Sequence, residues 1–385
     1  MPAGLIRTAL RLRLRTTVAT DIAIIGGGII GLSAAWRLSQ AGFLAAVFDA
    51  GRIAGEASAA GAGMLAPGGE AHADSAWARD TVHALHMYAS FVRELESASG
   101  IAGDFRQCGA LEIAASDARW HELVAQRRVQ ESLGIPVEEI READARRLVP
   151  LLREGDFRAL WYPGDAIVDP RPITNALRLL LGRAGVPLIE RSPVARIERH
   201  GEAYAVLDSA GELIAIARAV VLAAGAWSNE VGLPKMVSTA TAPPRRAIPI
   251  RGHLIQFRRA PGTLAPIVRE SHLYVFQRNG GEVIAGSNEE RVGFDRQPNE
   301  EAIATIVDRT RSLMPGLLRE TRPESAWLGF RPGIEGDGPE LRRWGADRVW
   351  LAYGHYRNGI LLAPHTASYL AKEIANHHEG FGQLA

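Results

Sequence analysis

One cysteine, Cys108, stands in 385 residues. A lone thiol cannot close an internal disulfide, complete a Cys-rich zinc site or hold an iron–sulfur cluster, and this usage suits a reducing cytoplasm. Lysine is almost as scarce: of 44 Lys and Arg residues only Lys235 and Lys372 are lysine, which reads as a codon-composition habit. No apolar run reaches the roughly 18 residues that spanning a bilayer needs. The net charge is only +1, so nothing calls for nucleic acid or an anionic membrane as partner. There is no low-complexity linker and no internal repeat. No metal-ligand cluster and no Ser-His-Asp arrangement is signalled either.

What is present is an ordinary globular balance, 47% hydrophobic and 23% charged, in a chain long enough for two domains that interleave. The first twenty residues stand apart. Arg7, Arg11, Arg13 and Arg15 alternate with Leu10, Leu12 and Leu14, and no acid precedes Asp21. Without a long apolar core or a clear cleavage site this reads as a frayed extension rather than a targeting peptide, though the alternation equally suits an edge strand.

Residues 21–25 are short, apolar and β-branched, as in a buried strand. Glycines follow, then Leu32, Ala35, Trp36 and Leu38 at helical spacing to Gly42, then a second strand over 44–48 ending at Asp49. Residues 55–74 carry Ala and Gly without periodicity. Helices are expected from about Trp77 to Gly100, over 117–133 and over 300–314. Another starts at Asp169-Pro170-Arg171-Pro172, with Asp as cap and Pro in the first turn. Residues 194–222 read as a three-strand meander followed by a separate buried strand over 219–223. A second β-rich block covers 247–286, with Asn279-Gly280 as a hairpin signal. The C-terminus goes strand, glycine-rich loop, helix (about 364–377).

Gly26-Gly27-Gly28-Ile29-Ile30-Gly31 lies between the first strand and its helix, and an acid, Asp49, closes the second strand. That context makes it a dinucleotide turn. Gly26 permits the tight turn, Gly28 lets the backbone approach a pyrophosphate, and Gly31 lets the helix pack close. The helix N-terminus offers free N–H groups and partial positive charge to the phosphates. Asp49 can accept from ribose hydroxyls and repels a 2′-phosphate. On this motif alone NAD and FAD both remain open. The small residues of Gly55-Glu56-Ala57-Ser58-Ala59-Ala60-Gly61-Ala62-Gly63-Met64-Leu65 let a loop pass beside a large planar ring, and the apolar anchors Met64-Leu65-Ala66-Pro67 argue for packing.

These two stretches, with Ala223-Ala224-Gly225-Ala226-Trp227-Ser228, Arg251-Gly252-His253, Arg331-Pro332-Gly333 and the long run from Gly354-His355-Tyr356-Arg357-Asn358-Gly359 through Ile360-Leu361-Leu362-Ala363-Pro364, resemble the D-amino acid oxidase superfamily of FAD enzymes. Within it they resemble the bacterial glycine oxidase branch, associated with making the thiazole of thiamine. The resemblance spans about 21–370. It implies an α/β fold in which an FAD-binding Rossmann-like domain of the glutathione reductase type interleaves with an α+β substrate domain on a large antiparallel sheet. The expected segments are an extension over 1–20, an FAD-binding domain over 21–75, 150–235 and 326–385, and a substrate domain over 76–149 and 236–325. The implied FAD contacts are Gly26, Gly28, Ile29, Ile30, Gly31, Asp49, Ala50, Ala57, Ser58, Ala62, Gly63, Met64, Val194, Gly225, Trp227, His355, Tyr356, Arg357, Asn358, Gly359, Ile360 and Leu361. No metal is implied.

An amino acid substrate needs its carboxylate held, and a guanidinium fork does this bidentately. The resemblance gives that role to Arg331, which follows the apolar Trp327-Leu328-Gly329-Phe330. It brings Arg357 to the same pocket, with Tyr274 and His272 two apart on one strand face. No side chain is expected to be catalytic. The resemblance implies hydride transfer from the α carbon of a small amino acid or amine to flavin N5, then hydrolysis of the imine and reoxidation by dioxygen. It also implies a homo-oligomer (a tetramer), a functional link to thiazole synthase and a cytoplasmic location. Phe276-Gln277-Arg278, Gly286-Ser287-Asn288 with Glu289, and residues 336–341 depart from the family's pattern and leave the preferred substrate open. Two other readings stay open: an FAD dehydrogenase passing electrons to a quinone or carrier, and a non-catalytic flavin-binding protein.

Overall fold

The computed structural model describes residues 17–235, 242–318 and 322–378. Two eight-stranded sheets organise them. The first grows outward from Val18–Ile25, which runs parallel to Leu213–Leu222 on one side and to Ala45–Phe48 on the other. Ile22, Ala23, Ile24 and Ile25 are buried, as a strand covered on both faces requires. This strand starts three residues before the expected Asp21, because Val18, Ala19 and Thr20 pair in register with Ala215, Ile216 and Ala217. Residues 1–16 of the expected extension lie outside the described residues.

The path across this sheet is Glu340–Arg343, Val349–Tyr353, Leu213–Leu222, Val18–Ile25, Ala45–Phe48, Leu188–Ile189. The third meander strand and the separate buried strand expected after it are one strand, Leu213–Leu222. Its first half pairs antiparallel with Ala203–Leu207 and its second half parallel with Val349–Tyr353. Both neighbours share one edge, since Val18–Ile25 takes the other. A local reading splits the strand because its partners change halfway along it.

Helices Ile29–Gln40, Ala76–Ser99, Pro170–Arg183 and Gly359–Asn376 pack together on one face through Leu32, Leu38, Tyr88, Leu177 and Leu370. Their ends follow from capping. Ser75 accepts from Ala78 N (3.1 Å), and Gly100 stops the helix at φ 79°. Asp169 accepts from Arg171 N (3.0 Å), with Pro170 at the first helical position as expected. No helix among the described residues is long and apolar enough to cross a membrane.

The second sheet runs Ser325–Ile334, Ala247–Arg258, Glu282–Gly286, Leu273–Gln277, Ile267–Glu270, Ala110–Ala114, Arg158–Tyr162, Glu138–Ile140. It is antiparallel except where Ile267–Glu270 meets Ala110–Ala114. Helix Glu300–Leu313 covers one face with Ile306, Val307 and Leu313. The hairpin expected at Asn279-Gly280 is present, but the left-handed residue is Gly281 (φ 91°), and Arg278 N donates to Glu282 O (2.8 Å) across a four-residue loop. Arg158–Tyr162 and Ser325–Ile334, which the sequence groups with the nucleotide segments, are hydrogen-bonded into this sheet. Helix Ala76–Ser99, grouped with the substrate segments, packs on the first sheet's helices. The chain therefore crosses between the sheets more often than the expected boundaries at 75, 150 and 326 allow.

Candidate active site

The strand Val18–Ile25 delivers the chain into a turn that only glycine can make. Gly26 has φ 106°, and a Cβ there would sit 2.3 Å from the carbonyl oxygen of Ala223 on the adjacent strand. At Gly31 a Cβ would sit 2.0 Å from Gly26 O, so helix Ile29–Gln40 lies directly on the turn. Gly28 is different: a Cβ there would meet only Ser58 Oγ, at 3.2 Å. The space before the helix N-terminus is thus open, and the helix's unpaired N–H groups face it. Ser58 Oγ accepts from Ile29 N (2.8 Å). Asp49 accepts from Gly27 N and Gly51 N, one per carboxylate oxygen, both at 2.8 Å. Each oxygen keeps a lone pair for a ribose hydroxyl.

Residues 55–66 are not a surface loop. Ala57–Ala60 forms a short helix, Met64–Leu65 pairs with Ala166–Ile167, and Leu65 and Ala66 are buried. Gly63 has φ 89° and presses on Val168 O, where a Cβ would come to 1.9 Å. At the other end of the chain, helix Gly359–Asn376 begins five residues before the expected 364. Pro364 lies inside it rather than opening it, at the loss of one ladder bond. The turn before it, Tyr356–Asn358, is pinned by His355, which is buried with its Nε2 3.0 Å from Thr366 Oγ1. Burial, helped by His365, pushes the His355 imidazole down to about 3, so the ring is neutral. The Asn358 Nδ2 amide is buried without a hydrogen-bond partner.

A cavity of about 500 Å³ joins these pieces. Of the expected cofactor residues, Gly26, Gly28, Ile29, Ile30, Asp49, Ala50, Ala57, Ser58, Ala62, Gly63, Met64, Val194, Gly225, Trp227, His355, Tyr356, Arg357, Asn358, Gly359 and Ile360 line it. Gly31 and Leu361 do not: the first is beneath the turn and the second is in the helical core. The lining fits an FAD. It offers an open helix N-terminus, an acid beside it, a glycine-lined passage past residues 60–63, and at Asn358 a buried amide donor with nothing to donate to. Among the described residues no His, Cys, Asp and Glu group could hold a metal ion.

The same cavity contains Arg331, Arg357 and Tyr274. Arg331, on Ser325–Ile334, donates from Nη1 to Asn288 O (3.0 Å) and from Nη2 to Ser287 Oγ (2.7 Å). Both partners are neutral, and no ion pair to Arg331 occurs among the described residues. Its guanidinium lies over Gly252, where a Cβ would be 2.3 Å from Nη1. Arg357 is differently placed. Nε is 2.9 Å from Glu70 and Nη1 is 3.2 Å from Glu289, and its side chain is 19% exposed. Burial works against its charge, but Glu70, Tyr274, Glu289 and Tyr356 outweigh that and hold it firmly cationic. Tyr274 is buried; burial raises its phenol against the opposing pull of Arg331 and Arg357, so it stays protonated. His272 falls in the turn before Leu273–Gln277, is exposed, and does not line the larger cavity. It lines an adjoining recess of about 40 Å³ together with Tyr274, Glu70 and Arg357.

The sequence reading missed Glu70, whose only local signal is a carboxylate after a glycine pair. It treated Ser287 and Asn288 as departures, yet these residues hold Arg331. It also missed a rim in which Phe294 stacks on Trp227 (centroids 4.7 Å, 17° between planes) and Arg296 pairs with Glu56 (2.7 Å).

A family model described as FAD dependent oxidoreductase matches residues 21–373. The chain is 28% identical over 359 residues to a glycine oxidase of Bacillus licheniformis, covering 92% of each chain. It is 32% identical over 371 residues to a bifunctional protein ThiO/ThiG of Synechocystis sp.; that match takes in 92% of this chain but spans 51% of the relative. Its fold is similar to the crystal structure of glycine oxidase from Geobacillus kaustophilus, with TM-score 0.86 and 26% identity over 94% of this chain and 95% of that one.

Proposed function

The chain belongs to the FAD dependent oxidoreductase family, and on that premise we propose that it oxidises glycine or a comparably small amino acid or amine to the imino acid. The observation that carries this reading is Arg331: a guanidinium on the cavity wall, held by two neutral oxygens and without an ion pair among the described residues. A substrate carboxylate completes it bidentately. Tyr274, kept as a phenol, has a proton to donate to the same carboxylate. Trp227 and Arg296 line the cavity's rim, with Phe294 stacked on Trp227. When bound, FAD supplies the two-electron acceptor for the hydride leaving the substrate's α carbon. Water hydrolyses the released imine to an oxo acid and ammonia, glyoxylate if the substrate is glycine, and dioxygen takes up the two electrons as hydrogen peroxide. The union of ThiO with ThiG in one Synechocystis chain supports passing the imine to thiazole synthesis for thiamine.

The test is anaerobic mixing of the yellow protein with glycine, sarcosine and small D-amino acids. Flavin bleaching by at least one, followed by peroxide formation when air is admitted, is the expected result. A flavin that never bleaches rejects the reading, and bleaching without peroxide moves the protein to the dehydrogenases.

A further inference from the structure

The two arginines of the cavity are electrically unlike. Arg331 has neutral partners only. Arg357 has a carboxylate at each end of its fork, Glu70 on Nε and Glu289 on Nη1. Glu70 lines the cavity with Arg357, whereas Glu289 does not. It stands behind Arg357, 39% exposed, and Tyr356 donates a hydrogen bond to it. One cation and two anions leave this triad with a net charge of one negative. Arg331 forms no ion pair among the described residues, although its charge and that of Arg357 both act on Glu289. Glu289 also sits just after Ser287-Asn288, where the chain departs from the family's pattern.

We propose that Glu289 is a specificity-determining residue: by completing the neutralisation of Arg357, it restricts the cavity to substrates with a single carboxylate and rejects dicarboxylates. This rests on the substrate reading given under Proposed function. A substrate bearing one carboxylate pairs with Arg331, and its amine faces a triad whose charge suits a cation. A second carboxylate within reach of Arg357 meets a guanidinium already paired at Nε and Nη1, in surroundings that carry an excess negative charge. Discrimination of this kind comes from a repulsive element rather than from a new attraction. Removing Glu289's charge leaves the Glu70–Arg357 pair neutral and frees Nη1 as a second carboxylate anchor.

The experiment uses the FAD-loaded protein and two non-oxidisable ligands that differ by one carboxylate, methoxyacetate and diglycolate. Binding is read from the perturbation of the flavin absorbance, without turnover. In Glu289→Gln, the affinity for diglycolate relative to methoxyacetate is expected to rise by roughly tenfold over the wild type. The gain should shrink as salt is added, since Glu289 is partly exposed to screening ions. Glu289→Asp, which keeps the charge, should retain the wild-type preference. A ratio unchanged within about twofold in Glu289→Gln, or a gain reproduced by Glu289→Asp, overturns the proposal. Absence of any methoxyacetate binding to the wild type instead overturns the carboxylate site at Arg331 on which it rests.

Discussion

Replacing Arg331 with alanine removes a cavity cation whose hydrogen-bond partners, Asn288 O and Ser287 Oγ, are both neutral. The backbone should be unaffected, because Arg331 pairs with Ile250 through the ladder between Ser325–Ile334 and Ala247–Arg258, which needs no side chain. Asn288 O and Ser287 Oγ lose their donors, and the hydroxyl can turn to water. The substrate carboxylate loses a charge-assisted fork on the cavity wall. That is worth about 3 kcal/mol, or roughly a hundredfold in kcat/KM. Arg331→Lys keeps the charge but not the fork and should fall between the two. Peroxide production gives kcat/KM, anaerobic titration gives substrate affinity, and absorbance with thermal unfolding confirms that FAD content and fold are kept. A kcat/KM for glycine within about twofold of the wild type in Arg331→Ala would refute the carboxylate role.

Gly252→Ala should do much of the same damage without touching an arginine. The new Cβ would lie 2.3 Å from Arg331 Nη1, so the guanidinium must swing aside; substrate affinity should drop by about tenfold with little change in unfolding temperature. Gly28→Val should give folded but colourless protein, since the added side chain meets only Ser58 Oγ and fills the approach to the helix N-terminus; a 450 nm absorbance equal to the wild type's would contradict this. His355 is held neutral down to about 3, whereas the unfolded ring titrates at the ordinary imidazole value of 6.5. Between those values the unfolded chain binds the extra proton, so stability is complete above pH 6.5 and is lost as pH falls. The slope is up to about 1.4 kcal/mol per pH unit. Urea unfolding of His355→Gln, which can keep a bond to Thr366, should lack that component; an identical pH profile would show that His355 is not its source.

The nucleotide end was legible because its constraints are local. Gly26, Gly31 and Asp49 act within one βαβ unit, where spacing alone determines what touches what. The C-terminal loop was legible in composition but not in extent: Pro364 imitates a helix start, while the turn before the true start at Gly359 is held by His355 bonding Thr366, about two turns into the helix. The substrate end was legible only in part. Arg331 follows an apolar strand and could be nominated, but its partners Ser287 and Asn288 arrive from a different strand more than forty residues away. Nothing local says that Glu70 and Glu289 converge on Arg357, or that His272 falls one residue short of its strand.

The amino-acid sequence by itself determined a dinucleotide-binding α/β chain with one glycine turn and a packed small-residue loop. Local geometry and residue chemistry are sufficient for each of these. The tertiary structure alone decided which strands share a sheet and which cavity arginine pairs with carboxylates. Charge compensation is a property of distance, and Glu70, Glu289 and Arg357 come within bonding distance only once both sheets are in place.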